Sequence, residues 1–498
     1  MMDYCSTRDS KRIVSSAHAI AQGISEEGGL FTPCSLPKLT REQLESLRPM
    51  TYAQRAETIL RLFLTDYSDA EIHDCVAGAY TGTKFGGSNP APLHKLDSGR
   101  GVLELWHGPT CAFKDMALQI LPHLLTRALK KEQNDRTAVI LVATSGDTGK
   151  AALEGFRDVP GTQMMVFYPE NGVSNMQKRQ MCTQEGGNVA VCAVRGNFDD
   201  AQSGVKAIFT DPALKKRLDQ NQMQFSSANS INWGRLLPQI VYYFSAYCDW
   251  FADQPERFGS PVNFVVPTGN FGNILAGYYA KQMGLPVSRL ICASNANNVL
   301  TDFIRSGEYD RNRLFYTTES PSMDILISSN LERLLFDLCD HDSDRVAQYM
   351  KQLGQKGKYR VEPELMSRLR ETFYGDYCND MEGRAAISDY FGEMHYLIDP
   401  HTAVAAGVYH KYVRNTEDPT PTILVSTASP YKFADAVLRA IGAGVPEDDF
   451  ARLQELSERT GTVVPAPLQA LRDKPIRFDA VCSKDELADT VCRQLNLK

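Results

Sequence analysis

Three short apolar segments, each followed directly by a turn rich in glycine, serine or threonine, constrain the fold of this chain more than any other feature. β-Branched residues are frequent in all three segments, and each has the length of a strand that is covered on both faces. We therefore predict three buried strands with polar turns at their ends. The segments are 138–143, 262–266 and 422–426, and the turns are 144–149, 267–273 and 426–430.

Helical patterns follow at least the first two segments, so strands and helices alternate along the chain. This alternation is typical of an α/β fold. In open α/β sheets, ligands bind beyond the carboxyl ends of the strands. Because all three predicted strands end in small polar residues, we expect the three turns to form one shared site.

The composition narrows the classes of function. The 498 residues are 43% hydrophobic and 23% charged, as in globular proteins rather than disordered ones. Lysine and arginine number 53 and aspartate and glutamate 60, and the resulting net charge of −7 favours an enzyme of small molecules over a nucleic-acid-binding protein. No run approaches the roughly 18 apolar residues of a membrane span, and residues 1–12 lack the apolar core of a signal peptide. We expect a cytoplasmic protein with no membrane or nucleic-acid partner.

Neither the cysteines nor the histidines form a metal-binding pattern. The twelve cysteines include no CxxC pair, so we interpret them as reduced thiols that pack as small apolar groups. His395, Asp399 and His401 superficially resemble metal ligands, but no Glu/His helix pair accompanies them, and we interpret the histidines as structural. We expect no metal. The GxSxG motif is absent, which disfavours an α/β-hydrolase.

The first part of the chain differs in character from the rest. It contains predicted helices that begin at Arg41 and span 52–64, and the Gly/Pro/Asn cluster at 86–90 indicates a domain boundary. The end of the chain is polar and predicted to be helical, with a short strand near 476–478. We predict an N-terminal domain, a catalytic core and a C-terminal helical segment, at 1–95, 96–446 and 447–498.

The segment 107–115 places Lys114 between Phe113 and a predicted helix over 116–128. Partial burial lowers the pKa of a lysine and makes its free amine a nucleophile for Schiff-base chemistry. A solvated surface lysine is the alternative, and it is the commoner fate of a lysine.

The turn at 144–150 resembles a phosphate-binding loop only in part. The Walker pattern needs glycine where Thr144 stands and a hydroxyl residue where Ala151 stands, so we do not predict an NTPase. At a predicted helix start, its N–H groups and hydroxyls suit a carboxylate or a phosphate. The alternative is an ordinary capping turn.

The second turn, 269–273, also leads into a predicted helix. Its glycines allow backbone N–H groups to approach an anion, which the helix dipole then favours. The GxGxxG spacing of dinucleotide sites is absent, so a single phosphate is the better prediction. A tight structural turn is the alternative.

Taken together, these segments resemble the threonine synthase family, and the resemblance covers most of the chain. The blocks that carry it are YCSTR (4–8), AQGISEEGGLFTP (21–33), HGPTCAFKD (107–115), SSANSINWGR (226–235), PSMDI (321–325), SSNLERLLF (328–336) and IDPHTA (398–403). The resemblance implies a pyridoxal-phosphate enzyme of fold type II. It has two α/β lobes with mostly parallel sheets around a cofactor cleft, the smaller lobe at roughly 125–225, and an additional N-terminal domain.

The resemblance also implies roles for particular residues. Lys114 matches the Schiff-base lysine, and Thr427 matches the hydroxyl residue that faces the pyridine nitrogen of the cofactor. A neutral hydroxyl there leaves that nitrogen largely unprotonated. The implied cofactor-phosphate loop comprises Gly269, Asn270, Phe271, Gly272 and Asn273. The implied substrate side comprises the carboxylate-binding turn Ser145, Gly146, Asp147 and Thr148, together with Asn229 and Asn232.

The implied reaction converts O-phospho-L-homoserine and water to L-threonine and phosphate, the last step of threonine biosynthesis. Pyridoxal 5′-phosphate is the electron sink, and the freed amine of Lys114 is the implied general base. The residue that binds the substrate phosphate stays open, with Lys150, Lys178 and Arg179 as candidates by charge alone. We expect the lobes to close around the substrate, and we expect a monomer or a homodimer.

Two alternatives differ in function. One is another fold type II activity, such as a serine/threonine dehydratase or a cysteine synthase, which the blocks at 21–33 and 321–336 disfavour. The other is a synthase-like relative that has lost the synthase activity and serves as a cofactor-binding or phosphatase-like protein. Intact Lys114 and the phosphate loop disfavour this second alternative.

Overall fold

The three predicted strands are confirmed, and they belong to two different sheets. The computed structural model describes residues 2–144, 146–171 and 173–497. Numbered in chain order, the strands are β1 (Tyr4–Ser6), β2 (Asp9–Val14), β3 (Phe31–Pro33), β4 (Leu93–Lys95), β5 (Arg100–Glu104), β6 (Thr137–Ala143), β7 (Thr162–Pro169), β8 (Val189–Val194), β9 (Met223–Ser226), β10 (Val262–Pro267), β11 (Val287–Ser294), β12 (Glu308–Asp310), β13 (Lys358–Arg360), β14 (Phe373–Tyr377), β15 (Thr422–Ser426) and β16 (Val481–Cys482).

The helices fill the segments between these strands. They are α1 (Ser16–Gln22), α2 (Arg41–Ser46), α3 (Tyr52–Phe63), α4 (Asp69–Ala79), α5 (Gly82–Phe85), α6 (Asp115–Leu118), α7 (Leu121–Lys131), α8 (Asp147–Phe156), α9 (Asn175–Cys182), α10 (Phe198–Thr210), α11 (Pro212–Gln220), α12 (Trp233–Trp250), α13 (Gly272–Gln282), α14 (Val299–Ser306), α15 (Leu331–Leu338), α16 (Ser343–Lys356), α17 (Pro363–Thr372), α18 (Asp380–Met394), α19 (Pro400–Thr416), α20 (Ala434–Ala440), α21 (Asp449–Thr460), α22 (Ala466–Gln469) and α23 (Leu487–Gln494). Within the described ranges, none of them combines the length and the apolar character that a membrane crossing requires.

The larger lobe is built on a six-stranded sheet with the order β14-β11-β10-β15-β5-β4. Neighbouring strands are parallel except for β4 and β5 at one edge. Every residue of the central strand β10 is buried, as expected for an apolar strand that is covered on both faces. Because β10 and β15 are parallel neighbours, the turns that follow them lie side by side.

The smaller lobe is built on an all-parallel sheet with the order β16-β8-β7-β6-β9. Its edge strand β16 comes from the end of the chain, which therefore returns to this lobe. The prediction of a strand near 476–478 is wrong. There, the N–H groups of Arg477 and Phe478 both donate to the carbonyl oxygen of Cys182 at the end of α9, and sheet pairing begins only at Val481.

The N-terminal residues form a separate layer, with the antiparallel sheet β2-β1-β3 and the helices α1 to α5. The predicted helices at Arg41 and over 52–64 are confirmed. Each begins after a threonine, Thr40 or Thr51, whose hydroxyl accepts a hydrogen bond from an N–H group of the first turn. This layer packs on the core through aromatic contacts with Trp233 of α12.

The predicted single helix over 116–128 is instead two helices, α6 and α7. Pro122 stands in the first turn of α7, and its ring would clash with the carbonyl group of Leu118 in a continuous helix. The chain therefore breaks at 119–120. Lys114 lies immediately before the single turn of α6.

Candidate active site

The segment that carries Lys114 is fixed against the end of β15. The N–H group of Phe113 donates to the carbonyl oxygen of Thr427 at 2.8 Å, and the N–H group of Ser429 donates to that of Cys111 at 3.1 Å. Cys111 has a left-handed backbone, with φ at 56°. These contacts hold Lys114 at the carboxyl end of a central strand, where α/β sheets bind ligands.

The amine of Lys114 lies between the two lobes, and its side chain is only 11% exposed. Its Nζ donates to Ser322 Oγ at 3.4 Å and lies 3.7 Å from Asp147 Oδ2. Burial lowers the pKa of Lys114 to about 8, against the opposing effect of Asp147. The cations of Lys432 and Arg235 add to the lowering. The solvated surface lysine is therefore excluded, and a sizeable fraction of the amine is neutral near physiological pH.

Asp147, the first residue of α8, connects most of the polar groups of this site. Its Oδ1 accepts hydrogen bonds from Lys432 Nζ at 2.5 Å and Gln177 Nε2 at 3.0 Å, and its Oδ2 accepts one from Ser322 Oγ at 3.2 Å. Burial by itself raises the pKa of Asp147, but the charges of Lys432 and Lys114 outweigh it and hold the pKa well below its usual range. The side chain is therefore a carboxylate.

The turn before α8 depends on a glycine. Gly146 has φ at 137°, and a Cβ there would lie 2.4 Å from the side chain of Gln177. Thr144 Oγ1 accepts a hydrogen bond from the N–H group of Gly146 at 3.0 Å. Thr148 is partly buried in the first turn of the helix, whereas Ser145 lies outside the described residues.

Lys432 is a site residue that the sequence reasoning did not single out. Its side chain is fully buried, and besides Asp147 it donates to the carbonyl oxygen of Thr110 at 3.1 Å. Because Lys432 follows β15 of the larger sheet and Asp147 follows β6 of the smaller one, the pair joins the two lobes. The sequence feature that could have identified Lys432 is its position, six residues beyond the end of a predicted strand.

Ser322 is the second residue that was missed, although it lies in the block 321–325. Its hydroxyl stands between Lys114 Nζ and Asp147 Oδ2, accepting from the first and donating to the second. A Cβ on Gly269 would lie 2.9 Å from the carbonyl oxygen of Ser322. Only a glycine therefore allows these two segments to approach so closely.

The loop 269–273 uses its carbonyl groups and leaves its N–H groups free. The carbonyl oxygen of Gly269 accepts from Ser328 Oγ at 2.7 Å, and that of Asn270 accepts from the N–H group of Asn330 at 3.1 Å. The N–H groups of residues 269–273 donate to no residue that the structure describes. Free N–H groups at a helix start form a site for an anion.

The end of this loop carries a buried polar atom without a partner. Asn273 Oδ1 accepts hydrogen bonds from the hydroxyls of Tyr242 at 2.6 Å and Tyr243 at 2.8 Å, but Asn273 Nδ2 has no partner in the described part of the chain. Phe271 has a left-handed backbone, with φ at 61°, directly before Gly272 opens α13. An unpaired buried amide is costly, so it indicates an acceptor that binds there.

Thr427 stands directly after β15 and is buried. Its carbonyl oxygen holds the Lys114 segment, but its hydroxyl makes no hydrogen bond with any described residue. A neutral hydroxyl at this strand end is therefore available to a ligand.

Arg235, in the first turn of α12, is the third residue that was missed. It is 4% exposed, and its Nη1 donates to the carbonyl oxygen of Ala228 at 2.7 Å. Its Nε has no partner, and no described carboxylate lies within ion-pair distance of its guanidinium group. Burial lowers the pKa of Arg235 to about 10. A buried cation without a counter-ion fits an anionic ligand. The sequence feature that could have identified Arg235 is its position at the end of the block 226–235.

The two asparagines predicted on the substrate side differ in their surroundings. Asn229 is exposed. The side chain of Asn232 is fully buried, and its Nδ2 donates to the carbonyl oxygens of Ile20 at 3.0 Å and Ser227 at 2.9 Å. Its Oδ1 accepts from the N–H group of Gly234 and so caps α12. The amide of Asn232 is thus occupied by protein groups.

The three candidates for the substrate phosphate are not brought together. Lys150 Nζ donates to Glu154 at 3.1 Å and also to Gln184. Arg179 donates to carbonyl groups of the C-terminal segment, and Lys178 is exposed. Two of these three side chains are therefore already paired within the protein, and the residue that binds the substrate phosphate does not follow from charge alone.

Family models match almost the whole chain. They are described as the threonine synthase N terminus at residues 3–80, the pyridoxal-phosphate-dependent enzyme family at 89–427, and the threonine synthase C-terminal region at 402–489. The second alone covers more than half of the chain.

Individual relatives point the same way. The human protein threonine synthase-like 1 is 42% identical over 85% of this chain, which spans 58% of the length of that relative. The threonine synthase of Pseudomonas aeruginosa is 39% identical over 94% of this chain and 96% of its own length. The solved structures of pyridoxal-phosphate-bound threonine synthase from Brucella melitensis and of yeast threonine synthase superpose with TM-scores of 0.87 and 0.88, at 36% and 33% identity and with 99% of each chain covered. The chain therefore belongs to the threonine synthase family of pyridoxal-phosphate-dependent enzymes, with the fold type II architecture that its sequence predicts.

Proposed function

We propose that this protein is a threonine synthase, which converts O-phospho-L-homoserine and water to L-threonine and phosphate. One observation carries the proposal: the cleft holds a buried lysine with a pKa of about 8 close to a buried arginine that has no counter-ion among the described residues. The lysine suits proton transfer, and the arginine suits a phosphorylated substrate. The family membership narrows the substrate to an amino acid.

The residues present fit pyridoxal phosphate. The free N–H groups of 269–273 and the unpaired Nδ2 of Asn273 suit its phosphate, Lys114 suits its aldehyde, and Thr427 offers a hydroxyl to its ring nitrogen. When bound, the cofactor supplies an electron sink that stabilises negative charge at the α-carbon of the substrate.

Lys114 is the base and acid of the proposed reaction. Its Nζ takes a proton from Cα and then one from Cβ, phosphate leaves Cγ with the electron pair of the broken bond, and Cγ is then protonated. Water adds its hydroxyl at Cβ and gives its proton to the amine, Cα is reprotonated, and the product leaves as threonine. One amine can serve several of these transfers because a pKa of about 8 lets it gain and lose a proton near neutral pH.

Two separate anion sites orient the substrate in this proposal. The carboxylate binds at the start of α8, in the turn of Gly146, Asp147 and Thr148, where the helix dipole favours negative charge. The negative charge of Asp147 does not oppose it, since Lys432 neutralises that side chain. The substrate phosphate binds Arg235. Asn232 positions this arginine, because its side chain caps α12 and its carbonyl oxygen accepts from the N–H group of Arg235 at 2.9 Å.

A single assay tests the proposed function. Purified protein with pyridoxal phosphate is incubated with O-phospho-L-homoserine, and phosphate, threonine and 2-oxobutyrate are measured together. We expect equal release of phosphate and threonine. Phosphate with 2-oxobutyrate instead of threonine would show an elimination activity and overturn the proposal.

One observation favours a second candidate function. Threonine synthase-like 1 of human is 42% identical to this chain, slightly more than the bacterial threonine synthase at 39%. A synthase-like relative without synthase activity would retain the cofactor but release no threonine, and the same assay distinguishes it.

A further inference from the structure

The pair formed by Asp399 and His401 lies outside the cofactor and substrate roles assigned so far. Both residues stand at the start of α19, and they are 0% and 2% exposed. The described residues contain no group of three or more histidine, cysteine, aspartate or glutamate side chains placed to hold a metal ion. A fully buried imidazole with a carboxylate partner needs another explanation.

The hydrogen bonds fix the tautomer of His401. Asp399 Oδ1 accepts from the N–H group of His401 at 2.9 Å and lies 2.8 Å from His401 Nδ1. The hydroxyl of Thr402 donates to the other oxygen, Asp399 Oδ2. Because a carboxylate only accepts hydrogen bonds, Nδ1 carries the proton. His401 Nε2 is then an acceptor, and the N–H group of Ser322 donates to it at 3.2 Å.

Ser322 connects His401 to the amine of Lys114. Its backbone is held by His401, and its hydroxyl accepts from Lys114 Nζ at 3.4 Å and donates to Asp147 Oδ2 at 3.2 Å. A continuous path of hydrogen bonds therefore runs from Asp399 to Lys114. The hydroxyl also occupies the carboxylate oxygen that Lys114 would otherwise approach.

We propose that His401, oriented by Asp399, is a positioning residue that fixes the turn 321–323 so that Ser322 lies between Lys114 and Asp147 and keeps them 3.7 Å apart, beyond direct hydrogen-bond contact. The effect of this arrangement on turnover rests on the proposed function, whereas the placement of Lys114 by Ser322 and His401 does not. If the turn shifts, Lys114 can approach Asp147 to direct hydrogen-bond distance and stay protonated.

The charged groups around Lys114 determine in which direction the pKa of its amine shifts when the turn moves. Asp147 is the anion that faces it, Asp115 lies on the same segment, and Lys432 and Arg235 are the neighbouring cations. A direct hydrogen bond to the carboxylate of Asp147 favours the ammonium form of Lys114 more than the present 3.7 Å separation with the hydroxyl of Ser322 in between. Loss of the Ser322 contact therefore raises the pH at which Lys114 becomes a free amine.

The test compares four variants. His401→Phe keeps a ring but removes the acceptor, whereas His401→Gln keeps an acceptor oxygen for the N–H group of Ser322. Ser322→Ala removes the hydroxyl directly and serves if His401→Phe does not fold. His410→Phe, on the exposed end of the same helix, is the matched control.

The first readout needs neither substrate nor cofactor. The rate at which an amine-reactive reagent labels Lys114 in the cofactor-free protein is followed against pH by mass spectrometry of its peptide. We expect a midpoint near pH 8 in the unmodified protein and in His410→Phe. We expect it about one pH unit higher in His401→Phe and Ser322→Ala, the size of shift that a nearby charge produces. His401→Gln should return it toward 8.

The second readout is turnover of O-phospho-L-homoserine. We expect kcat to fall about a hundredfold in His401→Phe, as for a catalytic group displaced by about 1 Å, with KM changed by less than about threefold. His401→Gln should recover most of the loss. An unchanged labelling midpoint in folded His401→Phe, or in Ser322→Ala if His401→Phe does not fold, would overturn the positioning role. Absence of threonine formation by the unmodified protein would instead overturn the proposed function, and the labelling result would stand.

Discussion

Lys432 of the larger lobe and Asp147 of the smaller lobe form an ion pair that is almost inaccessible to solvent, with 2.5 Å between Nζ and Oδ1 and side chains 0% and 2% exposed. The attraction between two such charges offsets the cost of burying them only while both partners are present. The pair therefore connects the two lobes at the candidate active site.

The first prediction concerns this ion pair. Asp147→Asn leaves the cation of Lys432 buried without its carboxylate, and we expect the free energy of unfolding to fall by about 3–5 kcal/mol. Urea unfolding of the cofactor-free protein measures this free energy. Asp147→Asn combined with Lys432→Met removes both charges and should restore most of the lost stability. A single variant as stable as the unmodified protein would contradict this account.

The second prediction concerns Lys114. We expect Lys114→Ala to lose the visible absorbance that the bound cofactor owes to this lysine and to lose more than about 10³-fold in turnover, since proton transfer alone contributes about 10²–10⁴-fold. Absorbance spectra and threonine formation measure the two effects, and far-ultraviolet circular dichroism verifies folding. Full turnover by this variant would remove Lys114 from the mechanism.

The third prediction concerns Thr427. A carboxylate in place of the hydroxyl would stabilise the protonated form of the ring nitrogen of the cofactor, so we expect Thr427→Asp to shift the cofactor absorbance and to reduce turnover. Thr427→Ser keeps the hydroxyl and is the matched control. If the aspartate variant has the spectrum and rate of the serine variant, Thr427 does not face the ring.

The sequence predicted the scaffold of the site better than its side-chain contacts. The strands that precede Asp147, Gly269 and Thr427 follow from runs of apolar residues, and the turns follow from glycine and hydroxyl residues at their ends. The helix break before α7 does not follow from the helical pattern over 116–128; it arises because the ring of Pro122 would clash with the carbonyl group of Leu118.

The missed residues share a physical reason. Lys432, Ser322 and Arg235 reach the site only through tertiary packing, from segments far apart in the chain. A lysine or arginine has the same local pattern whether its charge is solvated or buried, so Lys150 and Arg179 were equally good candidates by charge. Their pairing with Glu154, Gln184 and backbone carbonyl groups is likewise invisible in the sequence.

The fourth prediction is a pH dependence of stability. The pKa of Lys114 is about 8 in the folded protein, below its ordinary value of 10.5, so the unfolded chain binds more protons between these pH values. The contribution of Lys114 to stability therefore increases as the pH rises from 8 to 10.5, by about 3 kcal/mol in all. Below pH 8 the amine is protonated, and this buried charge destabilises the folded protein.

Two variants test whether the contribution of Lys114 to stability increases with pH. Cofactor-free Lys114→Met should be more stable than the unmodified protein at pH 7, and the difference should shrink as the pH approaches 10.5. Lys178→Met replaces an exposed lysine and should change stability little at any pH. Urea unfolding at several pH values measures both. A difference that grows with pH would contradict the lowered pKa.

The last prediction assigns the substrate phosphate. Arg235 is buried, its Nε has no partner among the described residues, and its positive charge lowers the pKa of Lys114, so a phosphate on the substrate would supply a counter-ion. We expect Arg235→Met to reduce kcat/KM for O-phospho-L-homoserine by about 10²–10³-fold, the effect of removing one charged donor from a buried site. The protein should be no less stable, because the substitution removes an unpaired buried charge.

Cofactor affinity separates this role from its rival. If Arg235 binds the substrate, Arg235→Met should bind pyridoxal phosphate as the unmodified protein does, as measured by titration of the visible absorbance. Lys351→Met, which replaces an exposed lysine of α16, is the control. If cofactor affinity falls together with kcat/KM, Arg235 belongs to the cofactor-phosphate site, because the loop 269–273 and Asn273 would then not suffice to hold that group.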